Sequence, residues 1–445
     1  MNIILLSGGS GKRLWPLSSE TRSKQFLKVL RSPNGTHESM IQRVWRQIHE
    51  TIPNARMIVS TTDSQQETIK RQLGADVDIA LEPERRDTFP AIALAAVFLA
   101  MERGCGMEET VIVMPVDAYA EEGYFQTLLK MDEAVQRDAA DMVLMGIRPT
   151  YPSTKYGYIV PEPRQTSDLM KVASFSEKPT EDRAIELLDV GAFWNGGVFA
   201  FRMGYIMEVV RQYIDPQGYT HLRENYHQLR KISFDYEVVE RCRSIAMVPY
   251  YGVWRDLGTW NTLTDVMQEY NAGMVQSGES IANTHIVNEL DIPVVALGLK
   301  NVVIAASPDG ILVSDKLAST QLKSYVDQID QRPMYEERQW GSYKVLNYMR
   351  HPDGKCSLTK HLIVKEGRKL SYQVHRNRDE IWTIVDGTGD LLIDGHIRNV
   401  RRGDVAYITK GMLHSIRAVT DLHFIEVQIG DELSEDDIQR FDWDW

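Results

Sequence analysis

The segment Ser7-Gly8-Gly9-Ser10-Gly11-Lys12-Arg13-Leu14-Trp15-Pro16-Leu17 holds the residue types that can handle a phosphate chain. Its three glycines let backbone N–H groups approach phosphate oxygens closely, with two cations beside them. The spelling excludes the two commonest phosphate loops. A Walker loop needs a glycine five residues before Gly11, where Leu6 stands, and Ser or Thr after the lysine, where Arg13 stands. A dinucleotide fingerprint starting at Gly9 needs a glycine where Leu14 lies. Arg22, Lys24, Lys28 and Arg31 follow closely, so positive charge is local in a chain of formal net charge -12. That overall charge argues against nucleic acid as partner and leaves anionic small molecules.

What remains of the loop resembles the G-G-x-G-x-R-L signature of sugar-1-phosphate nucleotidylyltransferases. Eight further segments follow in an order similar to the mannose-1-phosphate guanylyltransferase branch. Ser23-Lys24-Gln25-Phe26-Leu27 continues the loop. Glu82-Pro83-Glu84-Arg85-Arg86-Asp87-Thr88-Phe89-Pro90-Ala91 resembles E-P-x-x-[RK]-N-T-A-P-A, with Asp87 for Asn and Phe89 for Ala. Asp117 follows an apolar strand, where an open α/β sheet places its ligands, although the family's D-H is Asp117-Ala118 here. Tyr156-Gly157-Tyr158 and Phe175-Ser176-Glu177-Lys178-Pro179 precede Trp194-Asn195-Gly196-Gly197-Val198-Phe199 and Phe234-Asp235-Tyr236. Val253-Trp254-Arg255-Asp256-Leu257-Gly258-Thr259-Trp260 resembles W-x-D-[VL]-G-[ST]-W. Each segment alone has a bland reading: a basic helix face at Lys24, a capping Asp87 or Thr88, a turn aspartate at Asp117. Together, in order, they are hard to obtain otherwise.

The resemblance implies nucleotidyl transfer from GTP to mannose 1-phosphate, giving GDP-mannose and pyrophosphate. Both substrates are anions, so charge neutralisation and in-line positioning dominate such chemistry. It implies a nucleotide site of Leu6, Gly8, Gly9, Ser10, Gly11, Lys12, Glu82, Arg86, Asp87 and Thr88. Arg13 and Lys24 would meet charge on the triphosphate, and Asp117 and Asp256 would hold Mg²⁺, a hard cation suited to few carboxylates plus phosphate oxygens. Gly157, Glu177, Lys178 and Asn195 would bind the sugar phosphate, with Lys178 acting as a point charge on its phosphate. The departures Asp87, Phe89 and Ala118 keep another nucleoside triphosphate, or another hexose or heptose phosphate, as an alternative. A nucleotide-sugar sensor without catalysis is the other rival, though a sensor needs no metal pair.

The C-terminal Gln373-Val374-His375-Arg376-Asn377-Arg378 resembles the Q-x-H-x-H-R strand of the cupin domain in bifunctional phosphomannose isomerase/guanylyltransferases, with Asn377 for the second His. Alternation along a strand places residues 375 and 377 on one face. The resemblance implies a second divalent metal held by His375, Asn377, Glu380 and His414, and leaves open an isomerase against a barrel that is only structural. An asparagine oxygen is a poor match for Zn²⁺.

These residues need a scaffold. Residues 1–275 alternate strand and helix: strands at Met57–Ser60, Val111–Met114 and Met142–Gly146, helices at Ser64–Leu73, Pro90–Met101 and Tyr124–Gln136. This predicts an α/β, doubly wound, Rossmann-like nucleotidyltransferase domain. Val275–Ser280 reads as a linker into a β-rich connector over 276–332. From 333 to 445, short strands and Asp-Gly or Gly-x-Gly turns predict a cupin-like β-barrel, with an acidic tail read as a solvated helix carrying Trp443 and Trp445. Three scattered cysteines and the lack of a membrane-length apolar run predict a cytoplasmic protein with no membrane partner. Monomer and homo-oligomer both stay open.

Overall fold

The computed structural model describes residues 1–8, 11–19, 22–163, 167–434 and 437–445. In the strand Asn2–Leu6, Ile3 to Leu6 are all apolar because helices cover both faces of the sheet. Ile3 and Leu5 pack with Ile41, Val44 and Ile48 of the helix Met40–Thr51. Ile4 points the other way, against Phe89, Ile92 and Val97 of the helix Thr88–Val97. Asp87 caps this second helix by accepting a hydrogen bond from the Thr88 N–H, which starts it two residues before Pro90.

Nine strands form this sheet in the order Asp78–Glu82, Arg56–Thr62, Asn2–Leu6, Thr110–Pro115, Phe193–Arg202, Met142–Ile147, Ile245–Tyr250, Met170–Ser176, Gly157–Pro161. The first four run parallel, as the βα alternation predicts. Phe193–Arg202 then runs antiparallel to both neighbours, so the sheet is mixed. The remaining expected helices are Gln66–Leu73, behind a short turn Asp63–Gln65, and Glu122–Gln136.

By packing, Met1–Gly11 and Ser23–Gln268 form one compact unit, and Lys12–Arg22 with Glu269–Trp445 form the second. Val275–Ser280, expected as a linker, holds the strand Val275–Ser277, paired in parallel with Val294–Ala296. Val275 and Val294 are drawn in because they pack on Ile286, Ala296 and Ile304. Beside this pair, Asn271–Ala272, His285–Asn288, Val302–Ser307 and Gly310–Asp315 form a four-stranded sheet.

The last part of the second unit is the expected barrel. A six-stranded sheet runs Tyr335–Arg338, Gly341–Arg350, Cys356–Val364, Leu422–Gly430, Arg378–Asp386, Val405–Ile408. A five-stranded one runs His396–Arg401, Thr388–Ile393, His414–Ala418, Tyr372–Val374, Gln439–Phe441. The acidic tail is not the helix expected. Its described residues supply the strand Gln439–Phe441, paired with Tyr372–Val374, and Trp443 packs on Tyr372 at 5.3 Å between ring centroids. Two aromatics and a sheet edge to cover outweigh the acidic composition. Among the described residues, no helix is long and apolar enough to cross a membrane.

Candidate active site and barrel cluster

Asp117 and Asp256, far apart in sequence, are brought together by a two-stranded ribbon. Ala118–Ala120 pairs antiparallel with Trp254–Asp256, placing Asp256 opposite Ala118, and the Leu257 N–H donates to the Asp117 carbonyl. Lys24 Nζ stands 2.7 Å from Asp117 Oδ2 and 3.8 Å from Asp256 Oδ1. Two carboxylates sharing one ammonium are hard oxygen donors facing a common point, a donor set that fits Mg²⁺. Lys24 opens the turn Lys24–Phe26, which is pinned from within. Buried Gln25 donates through Nε2 to the carbonyl and Oγ of Ser7, both at 3.2 Å. Gln25 was missed as a site residue, although it stands inside the segment that signalled Lys24.

The loop itself opens where the first strand ends. Leu6 pairs with Ser60 on one side and Pro115 on the other. Among the described residues, a Cβ on Gly8 would meet nothing within 4 Å, which leaves room for a ligand against its backbone. Gly11 begins the turn Gly11–Leu14, in which Arg13 is exposed. Lys12 pairs with Asp327 at 3.2 Å, within the second unit. Gly9 and Ser10 lie outside the described residues.

Glu82 ends its strand almost fully buried and accepts a hydrogen bond from the Tyr226 hydroxyl at 2.8 Å. Burial pushes its carboxyl up to about 7, against the Tyr226 hydrogen bond. Arg86 donates to the carbonyls of Leu229 and His227, each at 3.3 Å, and pairs with Glu84. Asp87 holds φ 71° at the cap, and Thr88 Oγ1 accepts from the Phe234 N–H. In the structure these side chains shape their loop, and Tyr226 is the partner the sequence did not signal.

The third group is set by register. Gly157 lies opposite Asn195, and Tyr158 lies opposite Ser176, so Glu177 arrives beside both. A Cβ on Gly157 would stand 2.5 Å from Glu177 Oε2. Glu177 Oε1 holds Lys178 Nζ at 2.9 Å, which raises the Lys178 ammonium above its ordinary value. Asn195 Nδ2 donates to Asp235 Oδ1 at 2.7 Å. Burial, and then the charge of Glu177, push Asp235 up to about 6. Asp235 therefore joins this group, as the F-D-Y segment could have indicated. Tyr156 packs on Trp194 at 5.0 Å and on Trp254 at 5.4 Å, an aromatic wall reaching the strand that ends in Asp256.

Lys24 between two carboxylates, with the Glu177–Lys178–Asp235 group in the same unit, suits the handling of two phosphorylated substrates, and known proteins agree. The Nucleotidyl transferase family profile matches residues 2–273. The chain belongs to the nucleotidyl transferase family. A Mannose-6-phosphate isomerase C-terminal profile matches residues 328–443. The chain is 32% identical to Xanthan biosynthesis protein XanB of Xanthomonas campestris pv. campestris, over 99% of this chain and 97% of that protein. It is 29% identical to mannose-1-phosphate guanylyltransferase RfbM of Salmonella typhimurium, over 99% and 95%. The solved mannose-1-phosphate geranyltransferase of Thermus thermophilus is 31% identical, with a TM-score of 0.61 over 74% of this chain and 99% of that one.

This nucleotidyl transferase carries a second cluster in its barrel. His375, Glu380 and His414 are buried together, with ligand atoms within 4.8 Å of one another. His375 Nδ1 faces the Asp437 carbonyl at 2.6 Å and His414 Nδ1 faces the Met412 carbonyl at 3.0 Å. Each Nδ1 thus faces a backbone carbonyl, and each Nε2 faces Glu380, at 3.2 and 3.5 Å. His414 Nε2 finds no hydrogen-bond partner among the described residues. Burial would raise the Glu380 carboxyl, yet His414, His375 and Arg378 hold it below the usual range. The expected fourth ligand is corrected: Asn377 is exposed, because the strand ends at Val374 and the chain turns before Arg378. Arg378 enters instead, donating to Glu380 Oε1 at 2.8 Å with Nη2 3.2 Å from His375 Nε2. The three remaining groups fit a divalent metal on the side His414 leaves open. Beside them lies a cavity of 530 Å³ lined by Lys360, Gln373, Arg378, Glu426 and Arg440.

Proposed function

We propose that the protein joins GTP and mannose 1-phosphate into GDP-mannose, releasing pyrophosphate, with Mg²⁺ and in the cytoplasm. The carrying observation is Lys24 held between Asp117 and Asp256. An oxygen of the sugar phosphate attacks the α-phosphorus of the nucleotide, and the bond from that phosphorus to the pyrophosphate oxygen breaks. No covalent intermediate with the protein is needed. Asp117 and Asp256 would hold Mg²⁺, whose charge neutralises the phosphates. Arg13 and Lys24 meet the negative charge that develops on the departing pyrophosphate. The Gly8 backbone, with Gly9, Ser10, Gly11 and Lys12, cradles the triphosphate, and Glu82, Arg86, Asp87 and Thr88 border the nucleoside. Lys178 holds the attacking phosphate, while Glu177 and Asn195 accept and donate to sugar hydroxyls beside Gly157. The choice of GTP and mannose draws support from relatives such as RfbM, which carry that activity in their names.

Pyrophosphate release over a grid of five nucleoside triphosphates against mannose, glucose and heptose 1-phosphates tests the reading. A dominant signal for GTP with mannose 1-phosphate supports it. Activity in another cell keeps the chemistry and moves the substrate, and silence from folded protein favours a substrate outside the grid or a sensor.

The barrel supports a second activity, isomerisation of mannose 6-phosphate, through the convergence of His375, Glu380 and His414 on a polar cavity. A divalent metal held by these three would polarise the sugar carbonyl. A coupled isomerase assay, with metal content measured on the same sample, decides between a catalytic and a structural barrel.

A further inference from the structure

The loop that carries Arg13 is bound to the β connector at three places. At its start, Lys12 pairs with Asp327. In its middle, Ser307 Oγ donates to the Pro16 carbonyl at 2.8 Å, and the Trp15 indole covers Gly310. A Cβ on Gly310 would stand 2.4 Å from Trp15 Cζ2 and 2.6 Å from Cη2, so only a glycine admits the indole there. Gly310 also holds φ 151° at the turn between its two strands, and Ser307 accepts the Asp309 N–H, so the turn and the loop share one hydroxyl. At the end of the loop, Arg22 grips Glu289 through Nη1 and Nη2, at 2.6 and 2.9 Å. Arg13 itself is exposed, with the Lys12 anchor immediately before it and the Trp15 anchor two residues on. Its side chain has no burial to hold its direction, so the backbone on either side must.

We infer that the β connector is a positioning element for the glycine loop: Gly310, Ser307 and Glu289 fix the backbone on either side of Arg13, the cation that the proposed transfer uses. The inference rests on the proposed transfer reaction through the role of Arg13. Gly310 and Glu289 are positioning residues, acting through Trp15 and Arg22. Because Arg13 meets charge that grows in the transition state, disturbing its platform lowers kcat and leaves the KM for the sugar phosphate in place.

The experiment is a double-mutant cycle on the full chain, read by pyrophosphate release with the substrate pair the wild type turns over best, alongside thermal melting. Gly310→Ala is expected to lower kcat by about tenfold to a hundredfold, the scale of a misplacement of ~1 Å. In the Trp15→Phe background, where the outer ring of the indole is gone, the same substitution is expected to cost at least about threefold less, the remainder being backbone strain at φ 151°, a non-additivity that marks coupling through that contact. Arg22→Glu and Glu289→Arg are each expected to lower kcat, and the double swap to recover it. Equal effects of Gly310→Ala in both backgrounds, or full kcat in folded Gly310→Ala, overturn the inference. If Gly310→Ala does not fold, the charge swap decides alone: no recovery overturns it. A wild type silent with every pair removes the transfer reading and the inference with it, whereas failure of the inference alone shows only in the ratio of variant to wild type.

Discussion

Gly157→Ala puts the sugar-phosphate assignment to a quantitative test. The new Cβ would stand 2.5 Å from Glu177 Oε2, 2.9 Å from Phe175 Cζ and 3.4 Å from Asn195 Cβ. Carbon–oxygen contacts settle at about 3.4 Å, so the carboxylate must withdraw by about 0.9 Å. Gly157 has no left-handed φ, so the substitution strains the contact and not the backbone. Glu177 also holds Lys178 at 2.9 Å, and its retreat moves the cation assigned to the attacking phosphate. Displacements of ~1 Å cost up to ~100-fold. We expect kcat/KM for mannose 1-phosphate to fall by about 10- to 100-fold, roughly 1.4–2.7 kcal/mol of transition-state stabilisation. The KM for GTP should stay within about twofold, since the perturbation touches only the sugar side. Initial rates of pyrophosphate release, with each substrate varied in turn, give both numbers. An unchanged kcat/KM for the sugar phosphate, or a loss falling equally on GTP, would refute the assignment of Gly157 and Glu177.

Three further outcomes are expected. Lys24→Ala should lower turnover by about 10²-fold or more while melting shifts little, because its partners Asp117 and Asp256 are partly solvated; near wild-type turnover removes Lys24 from the mechanism. Glu82, with its carboxyl raised from 4.5 to about 7, binds its proton more tightly folded than unfolded, so its stabilising protonated form is fully present below about pH 4.5 and lost as pH rises through about 7. Glu82→Gln should therefore flatten the melting profile over that window, by about 3 kcal/mol at most, and parallel profiles for the two proteins would contradict the shift. Arg378→Ala should raise Co²⁺ affinity of the barrel, read from visible absorption, because a guanidinium now shares Glu380 and His375; a lowered affinity would show that Arg378 supports the ligands and does not compete with a metal.

The strands and helices of the first unit were legible because each face of the sheet is covered. Runs such as Ile3 to Leu6 and Val111–Met114 are apolar on both sides, and no competing pattern blurs them. Boundaries moved where a side chain rather than periodicity set them, as at Asp87 ahead of the helix Thr88–Val97. The barrel was legible from its turns, but its tail was not. Acidic residues between Asp431 and Asp444 suggest solvation, whereas Trp443 and the unpaired edge at Tyr372–Val374 offer a better partner than water.

The sequence by itself determined the chemistry. The glycine loop, Lys24, the aspartates and the Glu177-Lys178 pair are short-range spellings whose residue types read as the phosphate, metal and sugar ligands of the proposed transfer. Tertiary structure alone decided which of them meet. Asp256 reaches Asp117 through the pairing of Trp254–Asp256 with Ala118–Ala120, and Glu177 meets Asn195 through strand register. In the same way Asn377 was turned outward and Arg378 inward, because strand alternation stops where the strand does, at Val374. Long-range pairing depends on how every strand is placed, and no local window of residues contains that information.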